Sequence, residues 1–125
     1  MITSTRFIDG PAASVNLNLR RAPVFLRVTF GLSGVWDALD EAGDTPRPDE
    51  VVYAYVLATK PGMCHMSGRT PGGKRWGEAR MTGEYRFIPD QPRGAALLDT
   101  TAWRAWCAAN LGRLGPAWAR NAVMP

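Results

Sequence analysis

Eight consecutive residues, Val51-Val52-Tyr53-Ala54-Tyr55-Val56-Leu57-Ala58, carry no charge, and they constrain the fold more than any other stretch. β-Branched and aromatic residues dominate the run, and Thr59-Lys60-Pro61-Gly62 ends it with turn chemistry. Such a run reads as a strand covered on both faces. The most regular alternation follows it, over residues 76–88. There Ala79, Met81, Gly83, Tyr85 and Phe87 share one parity, and Glu78, Arg80, Thr82, Glu84 and Arg86 share the other. Side chains alternate across a strand, so one face is expected to meet a core while the other carries charge.

The rest of the chain supplies shorter elements. Residues 3–8 form a first candidate strand, stopped at Asp9-Gly10-Pro11, because glycine tolerates positive φ and proline lacks a donor. Val15, Leu17 and Leu19 alternate with Asn16 and Asn18, which predicts an antiparallel hairpin with the first strand. Val24, Leu26, Val28 and Phe30 resume the period of two, with Arg27 and Thr29 on the opposite parity. After the turn Gly31-Leu32-Ser33-Gly34, residues 35–39 fit either an extended piece or one helical turn. The proline-rich stretch that follows is an acidic surface loop. Residues 63–68 and 76–88 predict a hairpin around the tip Arg69-Thr70-Pro71-Gly72-Gly73-Lys74-Arg75.

One helix is predicted over residues 100–112. Asp99, Thr100 and Thr101 are N-cap candidates, Trp103, Trp106, Cys107, Asn110, Leu111 and Leu114 recur at helical spacing, and Gly112 is placed to end it. Pro116 suits the first position of a further helical turn in the tail, 113–125. A chain of 125 residues has the size of one domain. The expected fold is therefore α+β over residues 1–125: a mainly antiparallel sheet of five or six strands, or a partial barrel, with one C-terminal helix packed on it.

The opening Phe7-Ile8-Asp9-Gly10-Pro11-Ala12-Ala13-Ser14 resembles a family of small proteins of bacteriophages and related mobile elements. These begin with an aromatic-x-Gly-Gly-Pro-x-Asp-Gly hairpin followed by an apolar strand. Gly10 and Pro11 match that pattern, while Asp9, Ala13 and Ser14 depart from it. The resemblance covers about the first thirty residues and implies a phage-type setting and no defined activity.

Charge is distributed unevenly. The formal net charge is +4, and thirteen of the fifteen cations are arginine. Six acids (Asp37, Asp40, Glu41, Asp44, Asp49, Glu50) and one base (Arg47) occupy residues 37–50, whereas residues 100–125 hold three bases and no acid. An acidic loop with basic surfaces elsewhere suits an anionic partner or simple solubility. The two cysteines, Cys64 and Cys107, are too few for a disulfide framework or a four-cysteine zinc site, and buried reduced thiols are expected. The N-terminus lacks the apolar core of a secretory signal and no stretch matches a membrane span, so an intracellular, soluble protein is expected, and the resemblance to phage proteins implies the cytoplasm of a bacterial host.

Candidate chemistry is sparse. Gly68-Arg69-Thr70-Pro71-Gly72-Gly73-Lys74 has the spacing of a phosphate-binding loop, but Arg75 stands where Ser or Thr would hold magnesium, and a strand follows where a helix is required. Cys64 and His65 are neighbours on a strand and point to opposite faces, so they form no dyad, and a structural histidine is expected. Asp37, Asp40 and Glu41 sit in a loop with no evident pocket. No catalytic residue, cofactor or metal site is therefore assigned.

Arg69, Lys74, Arg75, Trp76, Arg80 and Arg86 remain as candidate partner-binding residues, since arginine beside aromatic side chains contacts phosphate and stacks on bases. The backbone amides of the Gly-Gly tip are expected to be open to an anion. Glu78 and Glu84 share the parity of Arg80 and Arg86, so a solvated charge ladder is the competing reading of the same face. The expectation is a non-enzymatic binding or inhibitor protein that contacts an anionic ligand or host protein through the hairpin. A structural or nucleic-acid-associated accessory protein is the alternative. Self-association is left open, and no membrane partner is expected.

Overall fold

The computed structural model describes residues 2–39 and 45–121. Among them are strands β1 (Thr3–Phe7), β2 (Asn16–Leu19), β3 (Phe25–Phe30), β4 (Trp36–Leu39), β5 (Val51–Leu57), β6 (Gly62–Arg69) and β7 (Arg75–Phe87). Helices α1 (Ala95–Leu98) and α2 (Thr100–Leu114) follow, then a 3-10 turn at Ala117–Asn121. The α+β class, the single sheet and the packed C-terminal helix are as expected. The strands number seven rather than five or six, because residues 36–39 pair with β3 as a short edge strand.

The sheet runs β2-β1-β7-β5-β3-β4, and β6 adds to β7. All pairs are antiparallel except β1 with β7, which run parallel with Thr3 opposite Met81 and Phe7 opposite Tyr85. β5 and β6 lie one after the other along the same edge of β7: Leu57 opposes Tyr85, and Gly62 opposes Thr82. The sheet curls until β2 approaches β4, giving a nearly closed barrel.

Each face of the sheet has its own core. The concave face buries Phe7, Leu19, Leu26, Val28, Tyr55, Leu57 and Tyr85. The outer face buries Val24, Phe25, Ala54, Val56 and Ile88 beneath Trp103, Cys107 and Ala119. β5 thus contributes to both, Tyr55 and Leu57 inward and Ala54 and Val56 outward, as its unbroken apolar run demands.

β3 departs from its half-buried pattern, since Arg27 and Thr29 are each only 1% exposed. Arg27 faces the helices and is accommodated by donating to the Leu97 carbonyl (3.1 Å) and Thr100 Oγ1 (3.5 Å), while Thr29 lies beside Asp37 and Glu50. The Arg27 guanidinium lies 5.4 Å from the Trp103 ring centroid.

Polar groups lock the sheet ends. The β1–β2 turn places Gly10 at φ 72°, where an added Cβ would come within 2.6 Å of Phe87. Asp9 Oδ1 accepts from the Phe87 amide at 2.6 Å. Buried Tyr55 accepts from the Ala12 amide (2.8 Å) and donates to the Asp9 carbonyl (2.9 Å). Past the end of β7, Gln91 acts as a substitute strand residue: its Oε1 accepts from Ala54 N and its Nε2 donates to Ala54 O, both at 2.8 Å.

Asp99 caps α2 through a bond from the Ala102 amide (2.9 Å). The helix does not stop at Gly112. It runs to Leu114 and ends at Gly115, whose amide bonds Leu111 O and whose missing Cβ would sit 2.6 Å from that carbonyl. Trp103 and Cys107 are buried, with Trp106, Leu111 and Leu114 half-buried around them.

Candidate functional site

β7 is thirteen residues long, and only its second half belongs to the body. Residues 81–85 pair with β1 on one edge, while the other edge is taken by β6 at residues 81–82 and by β5 at residues 85–87. Residues 75–80 pair with β6 alone, and every one of them is exposed. The alternation over residues 76–88 therefore meets a core only partly: Gly83 and Tyr85 are buried, Met81 and Phe87 half-buried, and Ala79 exposed. The hairpin outruns the body because β1 stops pairing at Thr3, opposite Met81. What results is a two-stranded arm, roughly 20 Å long for six residues of strand (64–69 against 75–80), with solvent on both faces.

Directly opposed residues share a face. One face of the arm carries Met63 and Met81 at the root, His65 and Ala79 midway, and Arg69 opposite Arg75 at the tip. The other carries Cys64 opposite Arg80 and Gly68 opposite Trp76. The indole lies across Gly68, where a Cβ would come within 2.9 Å of it, and Trp76 is still 42% exposed. Glycine at residue 68 is thus what allows an aromatic side chain to lie flat on an otherwise thin arm.

The tip is closed by its own backbone. Thr70 N donates to Lys74 O (2.8 Å), Gly73 N to Thr70 O (2.8 Å), and Lys74 N to Thr70 Oγ1 (3.1 Å), with Gly73 at φ 84°. Of the two Gly-Gly amides expected to be open to an anion, that of Gly73 is engaged within the tip. The charge at the tip is delivered by the side chains of Arg69, Lys74 and Arg75, for which the described residues provide no acidic partner.

The remaining candidate residues are dispersed. Arg80 bonds Glu78 at 2.8 Å, which holds its guanidinium above the usual arginine value. Glu84 pairs with Arg6 on β1 at 3.2 Å, not with a neighbour on its own strand. Arg86 lies in the body, half-buried, and donates to the Leu114 carbonyl at 2.9 Å.

Cys64 and His65 do lie on opposite faces, but both are exposed on the arm, so neither the buried thiol nor the structural histidine expected there is found. Cys107 is buried under α2, and that burial pushes its thiol up to about 12, which makes it a poor nucleophile.

The acidic segment lies elsewhere. Asp37 Oδ1 accepts from Ala38 N (2.8 Å) and Glu50 Oε1 from Arg47 N (2.7 Å), beside a cavity of about 330 Å³. Asp40, Glu41 and Asp44 lie outside the described residues. Among the described residues no three His, Cys, Asp or Glu side chains group as metal ligands, and no helix is long and apolar enough to cross a membrane.

Two features escaped the sequence reading. Arg20 and Arg21 follow Leu19, which pairs with Thr3, so they add positive charge at the root of the arm. At the β3–β4 turn Leu32 is displayed at 90% exposure, a position marked in the sequence only by its flanking glycines. Comparison with protein-family models, with curated proteins and with solved structures finds no match for the chain.

Proposed function

We propose that the chain is a non-enzymatic binding protein that engages an anionic partner through the tip of the β6–β7 arm. The observation that carries this reading is the Arg69–Arg75 pair. Two like charges directly opposed across strands destabilise a hairpin, and an isolated two-stranded hairpin is marginal in water to begin with. A carboxylate or phosphate lying between the two guanidiniums would remove the repulsion and could be gripped at several points. Lys74 adjoins that position with a further charge, and Trp76 offers an aromatic surface on the opposite face of the arm. In the phage setting that the opening resembles, such a protein acts by occupying a component of the host.

The test separates binding from stability. Arg75→Glu places a carboxylate opposite Arg69, so it should stabilise the arm by about 0.2–1 kcal/mol while abolishing binding. Protection of the Thr70 amide in hydrogen exchange reports the first effect. Fluorescence anisotropy with a labelled DNA duplex and with labelled polyglutamate reports the second. Unchanged affinity in Arg75→Glu, or no binding of either probe by the unaltered protein at low salt, overturns the reading.

A further inference from the structure

The described surface has two unlike ends. At one stands the arm, with Arg69, Lys74 and Arg75 at its tip and Trp76 just behind them. At the other, the β3–β4 turn and the start of β5 form an apolar patch: Leu32 is 90% exposed, Val35 62%, Val51 51% and Phe30 36%. Acids rim this patch. Asp49 Oδ2 and Glu50 Cγ lie within 4 Å of where a Gly31 Cβ would sit, whereas Asp37, opposite Thr29, takes the other face of the sheet from Phe30.

Strand register sets the separation. Val51 pairs with Phe30 at the patch, β5 runs from there to Leu57 opposite Tyr85, and β6 continues along β7 out to the tip.

Building on the reading of the arm as an anion-binding element, we infer that its partner is the acid-rimmed apolar end of a second copy of this chain. The two surfaces are complementary in both charge and polarity if both faces of the arm are engaged, with Arg69, Lys74 and Arg75 meeting Asp49 and Glu50 on one side while the Trp76 indole on the other covers Leu32 and Val35. Tryptophan and arginine are the residues that most often anchor such contacts. A symmetric arm-to-arm contact is disfavoured, because it would bring like charges together.

Contact between two different ends is heterologous. It does not close at a dimer and continues to a ring or a filament. Its strength can be bounded by size. One face of the arm covers roughly 200 Å² and both faces roughly 400 Å², below the approximately 800 Å² per partner of a stable complex. Assembly is therefore weak, concentration-dependent and sensitive to salt.

Sedimentation velocity of the full chain at rising concentration, up to about 500 µM so as to exceed a micromolar Kd, tests this. The unaltered protein should form species larger than dimers that dissolve in high salt. An arm variant (Lys74→Glu with Arg75→Glu) and a turn variant (Leu32→Lys with Val35→Lys) should each be monomeric alone. Mixed, they should give 1:1 dimers and nothing larger, because one sound arm meets one sound turn. All four positions are exposed, and circular dichroism checks that both variants fold. An unaltered protein that stays monomeric, or a mixture that gives no dimer, overturns the inference. If the monomeric protein nevertheless binds the DNA duplex through the arm, the reading of the arm stands and its partner is nucleic acid; if it binds neither DNA nor polyglutamate, both readings fall.

Discussion

Removing one oxygen atom, in Tyr55→Phe, tests how the β1–β2 turn is held. The Tyr55 side chain is fully buried, and its hydroxyl both accepts from the Ala12 amide and donates to the Asp9 carbonyl. Ala12 is itself only 1% exposed, so its amide would be left without a partner away from water. That costs about 1–3 kcal/mol, and the lost bond to Asp9, whose carbonyl can rehydrate, adds about 0.5 kcal/mol. The ring keeps its edge-on contact with Phe7, so no cavity cost is added. The sum is about 1.5–3.5 kcal/mol. With an unfolding entropy of about 2.1 cal/mol/K per residue, a chain of 125 residues should then melt about 6–13 °C lower.

Burial also raises the Tyr55 pKa, so the fold disfavours its phenolate. The stability this contributes is complete below the ordinary phenol value of about 10 and is lost as pH rises beyond it. Tyr55→Phe should accordingly flatten the alkaline limb. Urea unfolding at pH 7 and at alkaline pH measures both effects, with Tyr53→Phe as a control, because the Tyr53 hydroxyl has no hydrogen bond among the described residues. A loss below about 0.5 kcal/mol at neutral pH, within the range of ordinary surface substitutions, would refute the assignment.

Gln91→Ala should cost about 2 kcal/mol although the residue is only half-buried, because both backbone groups of Ala54 lose a partner; a surface-like value in chemical denaturation counts against this role. Trp103→Ala should cost about 3–5 kcal/mol and half-buried Trp106→Ala clearly less, and the reverse order in thermal melts would contradict the packing. A thiol reagent should modify Cys64 at once and Cys107 only on unfolding; two fast thiols in the native protein would be inconsistent with the burial of Cys107. Since the folded Cys107 thiol is raised to about 12, its stabilisation is present below about pH 9 and falls by about 1.4 kcal/mol per unit above it, a slope that Cys107→Ala should remove.

The strands were legible where alternation or an unbroken apolar run marked them, as in β3, β5 and the second half of β7. Parity alone does not say whether a face is covered. It placed Arg27 and Ala79 correctly on their faces, yet α2 covers Arg27 and nothing covers Ala79. Four-residue β4 is too short to show a period. Its strand state comes from pairing with β3, which is tertiary information. At the candidate site, the concentration of arginine in the hairpin was visible, and its division was not. Glu84 finds Arg6 seventy-eight positions away, and Thr70 closes the tip with its own hydroxyl, relations set by register rather than by composition.

The parallel pairing of β1 with β7 has a consequence for the order in which the molecule assembles. β3, β4, β5, β6 and β7 pair largely with near neighbours in sequence, and the tight hairpin can form within microseconds. β1 must instead wait for a partner 78 positions later, Thr3 with Met81, and closing a loop of that length costs about 4 kcal/mol of chain entropy. During synthesis the N-terminal hairpin emerges first but docks last, and until then β7 presents the edge of residues 81–85 unpaired. Mutations in β1 should therefore speed unfolding and leave folding rates nearly unchanged, whereas mutations in β5 should slow folding; stopped-flow kinetics showing the opposite partition would place β1 in the folding nucleus.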